Sequence, residues 1–242
     1  RVVESHEDQA ELQNTINRLV EWSREWQMLF NTDKCHILHL GGSNSNYEYT
    51  MGGRVLETVE HEKDVGVMVH QSLKPSMQCA RAAVRANAIL GQLSRAISYR
   101  DKDTFLKLYK VYVRPHLEYA VVSWSPWSVG DKEVLERVQR RAVGMVTNWR
   151  GRTYEDRLSE VGMTSLEDRR LRGDMIATYK ILSGKDKVDP SLLFDLPAVG
   201  PGPRTRGTAG VHPIRAQAVR PRLDIRRNTF SQRVVPTWNS LP

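Results

Sequence analysis

The pattern of apolar residues changes character once along this chain, near residue 72, and that change sets the fold class. Before it, short alternating runs are broken by glycine pairs. After it, apolar residues recur at spacings of three, four and seven over most of the next 110 positions. Period two reads as strand and period 3.6 as helix. The expected fold is therefore α+β: a small, mainly antiparallel sheet with one packed helix, then a mostly α-helical region.

The first helix follows from Ser5 and Asp8, a capping-box pair. Leu12, Ile16, Leu19, Val20, Trp26 and Phe30 would form its apolar face, with Asn31-Thr32-Asp33 as its end. Strands are expected over 34–40, 47–51, 54–59 and 64–70, the second and third joined at Gly52-Gly53 as a two-residue hairpin. Beyond Leu73, Pro75 marks a helix start, with Met77, Ala80, Val84, Ile89, Leu93 and Ile97 as its inward stripe. The next helix, capped by Asp101 or Asp103, would turn Leu106, Tyr109, Val113 and Leu117 inward, and Pro115 should kink it. A third helix, capped by Asp131, buries Val134, Leu135, Val138, Ala142 and Met145. Shorter helices run from Tyr154 to Val161 and from Ser165 to about Ser183. Three regions result: 1–72, 73–190, and a Pro/Gly linker with an Arg-rich tail over 191–242.

Charge is divided unevenly. Residues 1–72 carry 6 Lys+Arg against 12 Asp+Glu, whereas the remainder carries 30 against 16. From Val199 onward there are eight Arg, no Lys and one acid, Asp224. A surplus of arginine, whose planar fork grips phosphate in pairs of hydrogen bonds, points to a polyanion, with nucleic acid the leading candidate. A merely solvated basic surface is the alternative. Two cysteines, Cys35 and Cys79, make no disulfide framework, and no Cys/His cluster has zinc spacing, so an intracellular, reducing compartment (nucleus and cytoplasm) is expected. No apolar run reaches the ~18 residues of a membrane span, and no membrane partner is expected.

An ordered set of short motifs resembles one family. It includes Asn31-Thr32-Asp33-Lys34-Cys35, Lys63-Asp64-Val65-Gly66-Val67, Leu73-Lys74-Pro75-Ser76, Val113-Arg114-Pro115-His116-Leu117-Glu118-Tyr119 and Trp124-Ser125-Pro126. Val138-Gln139-Arg140-Arg141-Ala142, Leu166-Glu167-Asp168-Arg169-Arg170 and Phe230-Ser231-Gln232-Arg233…Trp238-Asn239-Ser240-Leu241-Pro242 complete it. Together they resemble the C-terminal part of a LINE-type (non-LTR) retrotransposon reverse transcriptase: the end of the palm, the thumb and the region after it. The resemblance implies RNA-directed DNA polymerisation in the parent enzyme, with two magnesium ions held by aspartates that would lie upstream of Arg1. This chain contains no Asp-Asp pair. It is expected to be catalytically inactive alone and to hold no cofactor of its own. The missing N-terminal half of the polymerase is a candidate partner, beside RNA and an RNA–DNA template–primer duplex.

Individual residues inherit expectations from the same resemblance. Lys34 matches the palm lysine that protonates the leaving pyrophosphate, although an ordinary exposed strand-edge lysine is the preferred reading for this chain alone. Asp64, Val65, Gly66 and Val67 match the primer grip; a buried valine strand accounts for them equally. Lys74, Arg81, Arg85 and Arg95 on the first thumb helix are candidate phosphate contacts. Arg137, Arg140 and Arg141, followed by Trp149, Arg150 and Arg152, form a denser basic cluster beside an aromatic that could stack on a base. Tyr99-Arg100, Trp124 and Trp127 offer the same chemistry, the two tryptophans being better suited to a core. The tail arginines Arg204, Arg206, Arg215, Arg220, Arg222, Arg226, Arg227 and Arg233 would either bind RNA or accompany a tail docked through Phe230 and Trp238. Two further readings stay open: a non-enzymatic RNA- or DNA-binding module derived from a retroelement, and a relic without function.

Overall fold

Ser5 begins the structure as the sequence requires. Its hydroxyl accepts from the Asp8 amide while Asp8 Oδ2 accepts from the Ser5 amide, which closes a capping box at the start of α1 (His6–Glu25). The computed structural model describes residues 3–41, 44–147, 149, 151–196 and 222–241. These fall into two compact units, residues 1–77 and 78–242. The fold class is α+β, as the periodicity indicated.

In the first unit α1 ends earlier than expected. Gln27 takes a left-handed conformation (φ 55°), and Met28 N–H donates to Ser23 O at 2.8 Å while Gln27 N–H donates to Arg24 O. These two bonds are a Schellman stop. Trp26 and Phe30 therefore lie beyond the helix and are exposed, with Met28 and Leu29. The core of the unit is Ile16, Tyr49 and Leu56, supported by Leu12, Cys35, Ile37 and Met51.

The strands are shorter than expected and do not join into one sheet. β1 (His36–Ile37) pairs in parallel with β4 (Glu57–Thr58). β2 (Thr50–Met51) and β3 (Arg54–Val55) form the anticipated hairpin across Gly52-Gly53, both glycines at positive φ. β5 (His61–Asp64) and β6 (Val67–His70) form a second hairpin. The strand expected over 64–70 is thus the last residue of one strand, a two-residue turn at Val65-Gly66, and the next strand. Lys34 is not at a strand start; it closes the 3₁₀ turn Thr32–Lys34, where Asn31 Oδ1 accepts from the Asp33 amide.

The second unit holds most of helix α2 (Ser76–Ala96), whose buried face is Gln78, Cys79, Ala82, Ala83, Ala86 and Leu90. This corrects the expected stripe: Val84 is 71% exposed, and Met77 and Ala80 are exposed as well. Small residues bring neighbouring backbones closer than the large apolar residues of the expected stripe would. α3 (Lys102–Leu108) continues through a π-helical turn, Tyr109–Val113, into α4 (Arg114–Glu118). Pro115 lacks an amide hydrogen and its ring would press on the preceding turn, and the π turn sits where that strain falls. The expected inward set Leu106, Tyr109, Val113 and Leu117 is fully buried.

α5 (Val121–Trp124) leads to α6 (Val129–Gly144), which is capped by Ser128 rather than Asp131; Asp131 instead supplies the amide that Ser128 accepts. α7 (Tyr154–Glu160) and α8 (Leu166–Leu182) begin at Thr153 and Ser165 caps. The described part of the tail forms α9 (Asp224–Arg227), α10 (Phe230–Arg233) and α11 (Val235–Ser240). Val234, Val235 and Trp238 pack with Ile181, Leu182 and Phe194, and Phe230 adds a ring contact to Phe194. Docking on the helical unit is therefore what this segment does. Among the described residues no helix is long and apolar enough to cross a membrane.

Candidate nucleic-acid interface

One face of α2 is basic and unneutralised. At 100° per residue, Arg81, Arg85 and Arg95 fall within an arc of about 80°. Val84, Ala88 and Gln92 share that exposed face. The helix contains no acidic residue, and among the described residues none of the three arginines makes a hydrogen bond or ion pair. Their charge is therefore available to a ligand at little desolvation cost.

α6 extends the basic surface toward this helix. Arg141 Nη1 donates to Asn87 Oδ1 of α2 at 3.0 Å, and Arg137, one turn earlier, is exposed. Arg140 is differently placed. It is bound to Glu133, with its guanidinium 5.0 Å over the Tyr154 ring. The ion pair holds the Glu133 carboxyl below its usual range. Arg152 is likewise paired with Glu160, which Lys102 also approaches at 3.5 Å. The sequence cluster thus separates into arginines that are free or lightly held (Arg137, Arg141) and arginines already neutralised (Arg140, Arg152). Arg150 lies outside the described residues, as do Arg204, Arg206, Arg215 and Arg220.

The expected stacking platform is not there. Trp149 is buried, with its carbonyl accepting from Arg157 Nη2 at 3.1 Å. Trp124 is buried too and donates from Nε1 to Tyr119 O at 2.8 Å. Tyr99, also named for stacking, is exposed as that role needs, and Tyr112 and Tyr119, farther along the chain, are exposed too.

In the first unit, Lys34 is exposed on its turn and Lys74 is exposed in the segment before α2. The Asp64–Val67 element is a hairpin tip, with Val65 at φ 42° and Gly66 at φ 89°. Both positive values define a type I′ turn. A β-branched residue is costly in the left-handed region, so Val65, 81% exposed, is held out at a strained tip. This corrects the reading of Val65 as part of a buried valine strand.

Sequence reasoning missed a set of buried polar residues that order the second unit. Gln139 has no exposed surface. It accepts from Tyr109 Oη at 3.0 Å and donates to Tyr154 Oη and to Thr164 O, at 3.0 and 3.1 Å. Glu136 joins it through Tyr154 Oη and accepts the Leu166 amide at 2.9 Å. Burial drives the Tyr109 phenol well above its ordinary pKa, and burial with the Glu136 hydrogen bond does the same to Tyr154. Glu118 of α4 holds Arg169 of α8 through both carboxylate oxygens, and Asp174 holds Arg233 the same way. Glu118, Gln139, Arg169 and Arg233 stand in motifs quoted above, and Tyr109 was expected to point inward, but the pairing of these residues with one another was not expected.

No family model and no solved structure matches the chain. A 97-residue stretch, 39% of the chain, is 30% identical to an uncharacterized Caenorhabditis elegans protein, B0403.1. The chain spans about half, 49%, of that relative. Among the described residues no group of three or more His, Cys, Asp or Glu side chains is placed to hold a metal ion.

Proposed function

We propose that this chain is the nucleic-acid-gripping, C-terminal part of a retrotransposon reverse transcriptase, acting on an RNA–DNA template–primer duplex without a catalytic centre of its own. The observation that carries this reading is the acid-free face of α2, with Arg81, Arg85 and Arg95 unpaired among the described residues and Arg141 tied alongside through Asn87. Such a face contacts sugar and phosphate rather than base edges, and phosphate contacts position a duplex without reading its sequence. An A-like hybrid presents a wide, shallow minor groove to which a helix carrying three arginines is suited. The ordered motif series supports the family. That series supplies Glu118, Gln139, Arg169 and Arg233, which help order the second unit internally.

A non-enzymatic binding module is the second reading. The capped helices and satisfied polar knot of the second unit favour it over a relic, because a decayed sequence would not keep Gln139 matched at both ends. Among the described residues Lys34 makes no side-chain hydrogen bond or ion pair, and any role as proton donor belongs to a complete polymerase.

The test is a gel-shift titration with an RNA–DNA primer–template, run beside a magnesium-dependent primer-extension assay. Binding without extension is expected. Primer extension would contradict the absence of a catalytic centre, and absence of binding would contradict the grip.

A further inference from the structure

Two tryptophans of the first unit stand in solvent. Trp22 is 46% exposed and Trp26 62%, and Leu19 of the same helix is exposed with them. At 100° per residue the three fall within an arc of about 60° on α1, a stripe that flanks the buried seam of Gln9, Ile16 and Ser23. Met28 and Leu29, just past the helix end, are exposed as well. Monomeric proteins seldom leave apolar side chains of this size side by side in water, and tryptophan is among the residues most enriched where partners bind.

The charges beside the stripe fit a copy of the same helix. Arg18 and Glu25 lie two turns apart, within about 20° of one another around α1 and next to Trp22. Both are exposed, and among the described residues neither side chain makes an ion pair or hydrogen bond. The wider surroundings are acidic: Glu11 and Glu21 are exposed on the same helix, and residues 1–72 carry 12 Asp+Glu against 6 Lys+Arg. That field repels a phosphate backbone, so a nucleic acid is a poor occupant for these rings. An antiparallel second helix suits them. With a two-fold axis beside Trp22, stripe meets stripe. Arg18 of each copy then lies opposite the partner's Glu25, because positions 18 and 25 are equidistant from the midpoint between 21 and 22. The pair forms twice, as an isologous contact requires.

We propose that this face of α1 binds a second copy of the chain, in an antiparallel two-fold helix pair centred on Trp22. A helix of 20 residues is about 30 Å long. Its one face is at the small end of specific interfaces, which places the association at roughly 10–100 μM. One assembly then carries two α2 arginine faces. The pairing needs no nucleic acid, and its test contains none, so its failure and that of the grip are distinguishable.

The experiment is sedimentation velocity of the full chain from ~1 to ~300 μM. The mass should rise from 27.7 kDa to a plateau at twice that value. Trp22→Glu with Trp26→Glu should remain a monomer throughout. Arg18→Glu should weaken the dimer ~3–10-fold, and adding Glu25→Arg should restore it, since the exchange rebuilds both pairs. Thermal unfolding establishes that each variant is folded. Overturning results are a monomer over the whole range, which leaves the face to another partner, association that grows past two copies without a plateau, or an unchanged dimer in the tryptophan variant. If that variant does not fold, the charge exchange decides: a dimer indifferent to Arg18→Glu, or not restored by Glu25→Arg, contradicts the two-fold pairing.

Discussion

Arg233 donates from Nε and Nη2 to the two oxygens of Asp174, each at 2.9 Å, and so bolts the C-terminal helices to α8 across 59 positions of sequence. Nη2 also reaches Val122 O at 2.7 Å and Nη1 reaches Asn228 O at 3.2 Å, so one guanidinium links α5, α8 and the tail. Asp174 is 7% exposed and Arg233 16%. Removing one member strands the other in a dry setting. Asp174→Asn should cost about 3–5 kcal/mol in urea unfolding, and Asp174→Leu with Arg233→Met should recover much of it.

Gln139 makes the analogous point for neutral groups. Gln139→Leu preserves bulk but leaves the Tyr109 hydroxyl and the Thr164 carbonyl without partners. The expected cost is about 1–3 kcal/mol, read as a lower urea midpoint at unchanged m-value.

The two thiols should behave differently. Cys79 is fully buried, and that burial, with Asp131 adding, pushes its thiol up to about 12. Cys35 is half-buried. An aromatic disulfide reagent at pH 8 should titrate one thiol in the native chain, Cys35, and two after denaturation. The sign of the pH dependence follows. The folded state holds the Cys79 proton to higher pH than the unfolded chain does, so this contribution is complete below the free-thiol pKa of about 8.5 and is lost as pH rises toward 12. Cys79→Ala should remove that component of alkaline unfolding.

Val65 carries a local penalty that a better turn residue would relieve. Asn-Gly is the preferred pair for a type I′ turn, so Val65→Asn should stabilise the β5–β6 hairpin by about 1 kcal/mol, measured by thermal unfolding. A loss of stability there would mean that the Val65 side chain supplies packing its 81% exposure does not suggest.

Much of the helical framework was readable because large apolar residues at helical spacing mark their own face, as Leu106, Tyr109, Val113 and Leu117 did. α2 misled for the opposite reason. Its buried face is built of Ala82, Ala83 and Ala86, while Val84, the larger residue, faces solvent among arginines. The end of α1 was hidden because Gln27 rather than glycine takes the left-handed position. The basic site was legible as composition, but not the division within it: Glu133 and Arg140 sit two turns apart on one face of α6, yet the sequence does not say that they pair, that Arg152 finds Glu160, or that Arg81 and Arg85 stay unpaired among the described residues. Arg170 looked like its neighbour Arg169 until the fold placed one beside Glu118 and buried the other.

The central claim is that the arginine face of α2 grips a nucleic-acid backbone. Fluorescence anisotropy with a labelled RNA–DNA duplex, from ~50 to ~200 mM salt, tests it directly. With about six phosphates neutralised, log K should fall against log salt with a slope near −5. Replacing Arg81, Arg85 and Arg95 by Ala together should flatten that slope by about 2–3, at unchanged thermal stability. A triple variant that binds with the parent's affinity and slope would contradict the account.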